Sequence, residues 1–356
     1  MKQAETIAIT ALGAMTPVGS HVKQSCASIR AGINRFMNHP YFYPQLPEPA
    51  LSEAELAMVS PIVPLNPSAP LVERLIELSM APMRELIIAG KLRREDFKST
   101  AILISLPDGN RTRPFAGYEK AFLGEYFRRL AIEPSSIQQV FQEGHTGVFS
   151  AMTEASRLLR SGACRLCIIL GIDSYLDKES LHDLDQAYRL KSERNVDGFI
   201  PGESAVLVLL ETIGHAQERN MSVLAKIGGL GHGVEKENIL SDKISSGKGL
   251  GDALAQVPGL GQGQAVGWVI CDMNGESARS REWGIVQCRS SKVFGGLRKL
   301  SHPADCVGDI GAASGALFVA IACQGFARGY TPESGTLLWT SSDFGQRAVC
   351  YLERPS

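Results

Sequence analysis

The sequence lacks the features that would place it on a membrane or a nucleic acid. Its 356 residues carry 36 Lys and Arg against 37 Asp and Glu, so the net charge of −1 leaves no basic surface for a nucleic acid. No apolar run reaches the roughly 18 residues of a membrane-spanning helix, and the N-terminal residues contain no apolar signal segment. We therefore expect a cytoplasmic protein whose partners include neither a membrane nor a nucleic acid.

The cysteines do not form a pattern that predicts chemistry on its own. Eight are present, mostly inside apolar segments. Cys164 and Cys167 have the C-x-x-C spacing of metal and redox sites, but no second pair or nearby histidine completes the set. We interpret them as small buried thiols in a reducing compartment, and nothing in the sequence predicts a metal or a cofactor.

The segment that organises the chain is 140–173, VFQEGHTGVFSAMTEASRLLRSGACRLCIILGID. Apolar residues at i, i+3, i+4 and i+7 predict a helix over 148–159, which Gly162 ends. The apolar run 167–170 predicts a strand that is covered on both faces. The turn before the helix carries Glu143 and His145, at a place where helix amides can stabilise negative charge.

Five other segments are patterned either as a strand, a glycine turn and a helix in succession, or as a tight junction that contains glycine. They are 6–36 (TIAITALGAMTPVGSHVKQSCASIRAGINRF), 197–205 (DGFIPGESA), 268–277 (WVICDMNGES), 305–316 (DCVGDIGAASGA) and 342–346 (SDFGQ). Helical spacing over 72–89, with Gly90 after it, and apolar runs at 100–105 and 206–210 predict further elements. Residues 211–221 are predicted to form the crossover between two halves of the chain.

Together these segments resemble the β-ketoacyl (3-oxoacyl-acyl carrier protein) synthases of the thiolase superfamily. The opening is similar to the family's ITGxGxxTPxG, with Ala11 for a glycine, and 197–205 is similar to DGFxxGEGA, with Ser204 for a glycine. The resemblance covers nearly the whole chain and is weakest over 37–70 and 229–265. It implies an α/β, thiolase-like fold of duplicated halves in five layers (α-β-α-β-α), and usually a homodimer.

We expect the halves to span 1–212 and 213–356. The resemblance further implies that a strand after the nucleophile turn pairs across the two-fold axis, and the apolar strand 166–170 suits that role. Besides a second copy of the chain, the implied partners are an acyl carrier protein, acyl-CoA or a partner protein.

At the catalytic positions the chain departs from the family. The nucleophilic cysteine falls on His145, and the two catalytic histidines fall on Asn274 and Asp309. The resemblance therefore implies a degenerate catalytic triad. Phe344 and Gly345 stand where the family has its GFGG loop, which implies a role in substrate or oxyanion binding.

Glu143 either adds charge to the pocket or caps the turn. For Asp108 and Arg111 we expect a solvated loop pair, and Asn110, Arg111 and Arg113 are candidates to meet a phosphopantetheine or a partner protein.

Decarboxylative condensation needs a thiolate to carry the acyl chain and donors to stabilise the enolate. An ionised Asp309 would repel a malonyl carboxylate ~4 Å away by about 4 kcal/mol at an effective dielectric of about 20. We therefore expect the standard reaction to be lost, and whether any enzyme activity survives stays open at this point.

Three interpretations remain. In the first, the protein is a binding or assembly component; the segments DMNGE and GDIGAASG also look like those of thiolase-like proteins linked with bacterial secretion-effector clusters. In the second, His145 and Asp309 form a dyad for acyl transfer or hydrolysis. In the third, condensation persists as a 3-oxoacyl-carrier synthase activity with a displaced nucleophile such as Cys306.

Overall fold

The computed structural model describes residues 5–45, 55–66, 68–111, 118–241, 243–262 and 266–355. Arg113 lies outside these residues. The strands within them are β1 (Ile7–Met15), β2 (Met37–Asn38), β3 (Met58–Val59), β4 (Thr100–Ser105), β5 (Gln138–Phe141), β6 (Leu166–Ser174), β7 (Glu203–Thr212), β8 (Ala225–Val234), β9 (Trp268–Cys271), β10 (Lys299–Ser301), β11 (Gly335–Ser341) and β12 (Gln346–Glu353).

The α-helices of the same residues lie mainly between the strands, so that strand and helix alternate along most of the chain. They are α1 (Val22–Arg30), α2 (Leu71–Ala89), α3 (Tyr118–Leu130), α4 (Gly147–Ser161), α5 (Lys178–Gln186), α6 (Ile213–Glu218), α7 (Lys248–Ala255), α8 (Ser277–Arg289), α9 (Ser291–Phe294), α10 (Ala304–Val307) and α11 (Ser314–Arg328).

Ten strands form one hydrogen-bonded sheet in the order β10-β9-β11-β12-β8-β1-β7-β6-β4-β5. It consists of two five-stranded parts with the same topology, β1-β7-β6-β4-β5 (the first sheet) and β8-β12-β11-β9-β10 (the second sheet). In each, the first three strands pair antiparallel and the last three parallel. A short antiparallel contact joins β1 to β8, where Ala8 faces Lys226 and Ile9 faces Ala225. The predicted duplication is therefore confirmed, while the boundary between 212 and 213 stays a prediction.

Helices occupy three layers around these sheets. The central layer holds α4 and α11, which contact strands of both sheets and form the largest apolar core. A second core lies between the first sheet and α2 and α3, and a third lies between the second sheet and α7 and α8. This is the expected α-β-α-β-α arrangement, because each sheet must cover both of its apolar faces.

Most elements that the sequence predicts are present. The helix over 148–159 lies within α4, and Gly162 follows it in the left-handed conformation with a φ of 73°. The strands predicted at 100–105 and 167–170 lie in β4 and β6, each fully buried. The glycine-rich part of 229–265, by contrast, contains a helix that its weak periodicity did not predict, α7.

One prediction about the sheet is wrong. Strand 166–170 was expected to pair across a two-fold axis, but β6 pairs with β4 on one side and β7 on the other. Its backbone groups are therefore already used, and the outer strand of this sheet is β5. The apolar run indicates an interior strand because interior strands are covered on both faces.

The cysteines behave as predicted. All eight have free thiols, and seven of them are buried, with Cys288 exposed. Among the helices of the described ranges, none is long and apolar enough to cross a membrane.

Candidate functional site

The central helix of each half begins at a tight glycine turn. A 3-10 turn at Gly144–Thr146 leads into α4, and a second at Gly311–Ala313 leads into α11. Gly144 and Gly311 have φ values of 54° and 48°, in the left-handed region that glycine tolerates best. The two turns contact each other, so the positive ends of two helix dipoles meet inside the molecule.

His145 lies in the first of these turns and is buried, with 3% of its surface exposed. Its Nε2 lies 2.8 Å from Oδ1 of Asp309, which belongs to the other half of the chain. The other carboxylate oxygen of Asp309 accepts a hydrogen bond of 2.7 Å from the side-chain amide of Asn274. The structure thus brings together the three residues that the sequence aligned with the catalytic triad.

The backbone around Asp309 is held by the segment 197–205. The amide of Asp309 donates to the carbonyl of Ile200, and its carbonyl accepts from the amide of Gly202, both at 2.8 Å. The Asp309 carboxylate also accepts from the amide of Gly311 at 2.9 Å. Side chain and main chain of Asp309 are therefore both fixed.

The two partners of this contact have shifted pKa values. Burial lowers the pKa of His145, but the charge of Asp309 and its hydrogen bond outweigh burial, so the pKa is raised from its ordinary value. Burial raises the pKa of Asp309, but the opposing effects of His145, Arg279 and the Gly311 amide leave it well below its usual range. Asp309 therefore favours the protonated form of His145 more than water favours that of a free histidine.

Two arginines connect this pair to a wider network of buried charges. Arg189 forms a two-pronged ion pair with Glu276, with distances of 2.7 and 2.8 Å, and a third contact of 2.7 Å with Asp343. Arg279 contacts Asp343 and Asp272, each at 2.9 Å. Four carboxylates, those of Asp272, Glu276, Asp309 and Asp343, therefore face two guanidinium groups, and His145 would supply a third positive charge when protonated.

Little space adjoins Asn274 and Asp309. A cavity borders both residues, together with Asp272, Ser314 and Phe318, but its volume is about 10 Å³. One water molecule needs roughly 10–15 Å³. The Asn274 amide is also used twice, because it donates to Glu276 at 3.0 Å as well as to Asp309. A cavity of about 220 Å³ lies on the other side of the network, against Arg279 and Asp343.

The remaining predicted site residues lie around this network. The Glu143 carboxylate accepts a hydrogen bond of 2.6 Å from Ser150 on α4, and its carbonyl accepts from Thr146. Its side chain is therefore tied to α4 through Ser150, but it makes no capping hydrogen bond to the backbone of the turn, so the predicted cap is not seen. Phe344 is half-buried, and the carbonyl of Gly345, which has a φ of 105°, accepts from the Glu235 amide at 2.7 Å.

The expectation of a solvated Asp108 and Arg111 is wrong. Asp108 is buried, and its carboxylate accepts hydrogen bonds from Ser342 at 3.2 Å and from the Asn110 backbone at 2.9 Å. Arg111 pairs with Asp173 at 2.7 Å and lies 3.8 Å from the centre of the Tyr175 ring.

The Arg111 guanidinium is thus engaged by Asp173 and is not free for a phosphopantetheine, whereas Asn110 is exposed and donates to the Asp108 carboxylate. Asp108 and Arg111 were expected at the surface because a Pro-Asp-Gly segment is typical of exposed turns.

Cys306 lies apart from the site. It is buried in α10, its Sγ donates to the Ile29 carbonyl over 3.7 Å, and burial together with Asp305 raises its pKa. It lines a different cavity from the one beside Asp309.

Sequence reasoning missed Arg189, Arg279 and Asp343. The one sequence signal for them is the cluster of acidic residues around 272–276, because buried carboxylates need cations as partners.

The sequence matches no protein-family model, and no curated protein is significantly similar to it. Solved structures are similar in fold. The ketosynthase of the complex titled "AntDE:AntF (apo): type II PKS acyl-carrier protein in complex with its ketosynthase bound to the hexaketide" superposes with a TM-score of 0.77 at 13% identity, covering 99% of this chain and 100% of the other.

The ishigamide ketosynthase/chain length factor superposes with a TM-score of 0.76 at 14% identity, with 99% and 100% of the two chains covered. The ketosynthase from module 6 of the bacillaene synthase of Bacillus subtilis 168 gives 0.76 at 12% identity, with 99% and 72% covered.

The chain has the ketosynthase fold. At these identities the likeness establishes the thiolase-like architecture, and the chemistry must be argued from the residues of the site.

Proposed function

We propose that this ketosynthase-fold protein has lost decarboxylative condensation and acts as a binding component. The observation that carries the proposal is the 2.8 Å contact of His145 with Asp309. On this proposal His145, Asn274 and Asp309 are the degenerate counterparts of the family's catalytic triad.

The chemistry of these side chains supports the proposal. An acyl-imidazole hydrolyses readily, so His145 cannot replace a thiolate as a lasting acyl carrier. Asp309, whose pKa is far below its usual range, is ionised and would repel both a malonyl carboxylate and an enolate. At ~4 Å and an effective dielectric of about 20 the repulsion is about 4 kcal/mol, roughly a thousandfold in rate.

The lack of space supports it as well. Pockets for drug-sized ligands have volumes of roughly 300–1,000 Å³, whereas the cavity beside Asn274 and Asp309 has about 10 Å³. An acyl thioester would have to displace side chains that the ion-pair network fixes, among them Glu276 and Arg279.

The partners that we propose are an acyl carrier protein, acyl-CoA or another protein, together with a second copy of the chain. One structural neighbour is a ketosynthase in complex with its acyl-carrier protein, and another is a ketosynthase/chain length factor. The outer strand β5 is the edge that we propose for the homodimer. Eight free cysteines fit the reducing cytoplasm.

The segments DMNGE and GDIGAASG extend the proposal to a specific class of protein partner. Their likeness to thiolase-like proteins of bacterial secretion-effector clusters makes a component of such a system the protein partner that we propose. Size-exclusion chromatography with light scattering on the purified chain and purified candidate components would test each pair directly.

A second candidate function is acyl transfer or hydrolysis by a His145–Asp309 dyad. The hydrogen bond of 2.8 Å favours it, because a carboxylate is the usual orienting partner of a catalytic imidazole. The volume of about 10 Å³ beside Asp309 and the raised pKa of His145, which favours imidazolium over the free base, argue against it.

Condensation through a displaced Cys306 is disfavoured by its raised pKa and its place in another cavity.

Intact-mass spectrometry and product analysis test the proposed function. The purified protein is incubated with malonyl and acyl donors, both as CoA thioesters and on an acyl carrier protein. We expect no 3-ketoacyl product, no decarboxylation of the malonyl donor and no stable acyl adduct, whereas a carrier protein or acyl-CoA binds. A stable adduct on Cys306 would overturn the proposal in favour of condensation, and catalytic loss of acyl groups that His145→Gln abolishes would favour the dyad.

A further inference from the structure

A cavity of about 420 Å³ lies between the end of α1, the edge strand β10 and the start of α10. It shares no residue with the network around His145 and Asp309. Its volume is within the roughly 300–1,000 Å³ of small-molecule sites. The cavity is therefore large enough for a ligand that the candidate site cannot hold.

Two cations are held on the aromatic wall of this cavity. The Arg30 guanidinium lies 4.3 Å from the centre of the Tyr330 ring. The Lys299 ammonium lies 4.2 Å from the ring centre of Trp268 and 5.4 Å from that of Tyr330. All three distances are within the ~6 Å over which a cation and an aromatic face attract each other. Two positive charges are thus fixed against one shared ring.

No carboxylate neutralises them. Within the described parts of the chain, no acidic side chain lies within ion-pair distance of Arg30 or Lys299. The one acidic residue of the lining, Asp305, pairs with His302 at 2.7 Å. Burial, and then repulsion by Arg30, lower the pKa of Lys299. An anion placed between the two cations would relieve this repulsion.

The other polar groups of the lining leave the charge of the cavity positive. Burial and the nearby Glu85 raise the pKa of Cys26 to about 12, so its thiol is neutral. Burial and Asp305 likewise raise the pKa of Cys306. Arg30, Lys299 and Asp305 together carry a formal charge of +1, which one negative charge on a ligand balances.

Several other side chains of the wall are apolar, although Ser301 and His302 also line it. Ile29 and Ile321 contribute aliphatic surface and Tyr330 contributes ring surface, whereas Trp268 is almost fully buried. A ligand that fills the cavity must therefore have an apolar body as well as an acidic head, because burying further polar groups there without partners would cost free energy.

We propose that this cavity binds a small organic monoanion, a carboxylate with an apolar body. Its head group lies between Arg30 and Lys299, and its body packs against Ile29 and Tyr330. The guanidinium can donate two parallel hydrogen bonds to a carboxylate, while the ammonium acts as a point charge. The site is independent of the proposed function of the ketosynthase-fold centre.

Isothermal titration calorimetry on the full chain tests the proposal with octanoate as the probe. Octanol and octylammonium serve as neutral and cationic probes with the same body. We expect octanoate to bind at least about tenfold more tightly than octanol, as charge-assisted hydrogen bonds predict, and octylammonium to bind more weakly still. Equal affinity of octanoate and octanol, or no binding of octanoate at millimolar concentration, would overturn the proposal.

Substitutions locate the head group. The double variant Arg30→Met/Lys299→Met removes both charges and keeps two long side chains on the rings. It should lose octanoate affinity about tenfold or more, whereas Lys299→Arg keeps the charge and should stay within about threefold. Lys98→Met is the matched control for the loss of one charge, because Lys98 pairs with Glu133 at the exposed surface. A loss in Lys98→Met equal to that of the double variant contradicts the proposal.

Thiol labelling locates the body without any substitution. Octanoate should slow the alkylation of Cys306, which lines the cavity, and leave that of the exposed Cys288 unchanged. Peptide-level mass spectrometry separates the two thiols. If octanoate binds but Cys306 is labelled at the same rate, the ligand lies elsewhere and the proposal fails. This readout also holds if the double variant does not fold.

Discussion

The imidazole of His145 and the carboxylate of Asp309 join the two halves of the chain through a hydrogen bond of 2.8 Å. His145 lies just before α4 of the first half, and Asp309 lies just before α11 of the second. On the proposed correspondence with the family's triad, His145 would stand at the place of the nucleophile and Asp309 at that of a histidine. Its properties decide between a structural and a catalytic interpretation of the site.

The first prediction concerns the titration of His145. Asp309→Asn removes the charge that raises the pKa of His145 but leaves burial and Arg279, which both lower it. We expect a wild-type pKa above the ~6.5 of free histidine and a variant pKa below it. Two-dimensional NMR of the histidine ring signals, with His145→Gln for assignment, measures both values.

The control for this titration is Asp305→Asn, which removes the carboxylate beside His302 and should leave the His145 signal unchanged. A wild-type pKa below that of free histidine, unaffected by Asp309→Asn, would mean that the two groups are not coupled.

The sign of the stability effect follows from the raised pKa of His145. Its contribution to the free energy of unfolding is fully present below the unfolded-state value of ~6.5 and is lost as the pH rises through the higher folded-state pKa. The free energies of unfolding of wild type and His145→Gln, measured with urea across this pH range, should converge toward alkaline pH. Parallel curves would contradict the expected linkage.

The sequence predicted the fold well because patterning carries most of that information. The apolar spacing in α4 and the uninterrupted apolar strands β4 and β6 report burial directly. The pairing of β6 was wrong because an interior strand and a buried interface strand look alike in sequence. Helix α7 was missed because its glycines dilute the apolar spacing.

The candidate site could be predicted only in part. The alignment of His145, Asn274 and Asp309 with family motifs brought the three positions together before any geometry was considered. The ion pairs of Arg189 with Glu276 and Asp343 span 87 and 154 residues, and no local pattern specifies such distant partners. The burial of Arg111 likewise depends on Asp173 and Tyr175, which tertiary packing supplies.

The second prediction concerns the buried charges. Arg189→Met leaves the Glu276 and Asp343 carboxylates without their main counterion. We expect a loss of about 3–5 kcal/mol in the free energy of unfolding, as for other buried pairs that lose one partner. Arg157→Met is the control, because the pair of Arg157 with Glu154 is at the surface and should contribute less than about 1 kcal/mol. Urea denaturation measures both variants, and equal losses in the free energy of unfolding would contradict the prediction.

The third prediction concerns the missing thiol. His145→Cys should produce no 3-ketoacyl product above the blank, because Asp309 still repels the malonyl carboxylate and the neighbouring cavity stays near 10 Å³. Intact-mass spectrometry should also find no acyl adduct on the variant. An active ketosynthase assayed with the same donors is the positive control. Product formation by the variant would show that the nucleophile alone had been lost.

The fourth prediction concerns the glycine that holds Asp309. A Cβ on Gly202 would lie 2.3 Å from the Val307 carbonyl oxygen, so Gly202→Ala must move the backbone next to Asp309. We expect a loss of about 1–3 kcal/mol in the free energy of unfolding, as for other overpacked sites, and a shift of the NMR signals of the His145 ring.

Gly124→Ala in α3 is the matched control, since a Cβ there meets nothing within 4 Å. It should stabilise the protein by up to about 1 kcal/mol. Thermal unfolding that ranked the two variants in the opposite order would contradict this account of the junction.

The fifth prediction concerns the proposed homodimer through β5. The carbonyls of Ile137 and Phe141 accept hydrogen bonds from β4. Because successive residues of a strand direct their backbone groups to alternate sides, the amide of residue 140, next to Phe141, points away from β4. Val140→Pro removes an outward donor without breaking the β4–β5 ladder. Sedimentation at micromolar concentration should give a dimer for wild type and for Val140→Ala, and a monomer for Val140→Pro. A monomeric wild-type protein would contradict the prediction.

Because two helix N-termini meet at the candidate site, a free anion would have to compete there with carboxylates of the chain itself. The amides of Gly311 and Ala312 donate to the carboxylates of Asp309 and Asp173, at 2.9 and 2.8 Å. A tethered group acts at an effective concentration of about millimolar even on a flexible linker, and these two are held by folded segments. A free carboxylate must displace a competitor that cannot diffuse away. The amides of Gly311 and Ala312 are therefore already occupied by carboxylates of the same chain, and a free carboxylate would have to exceed their effective concentration to replace them.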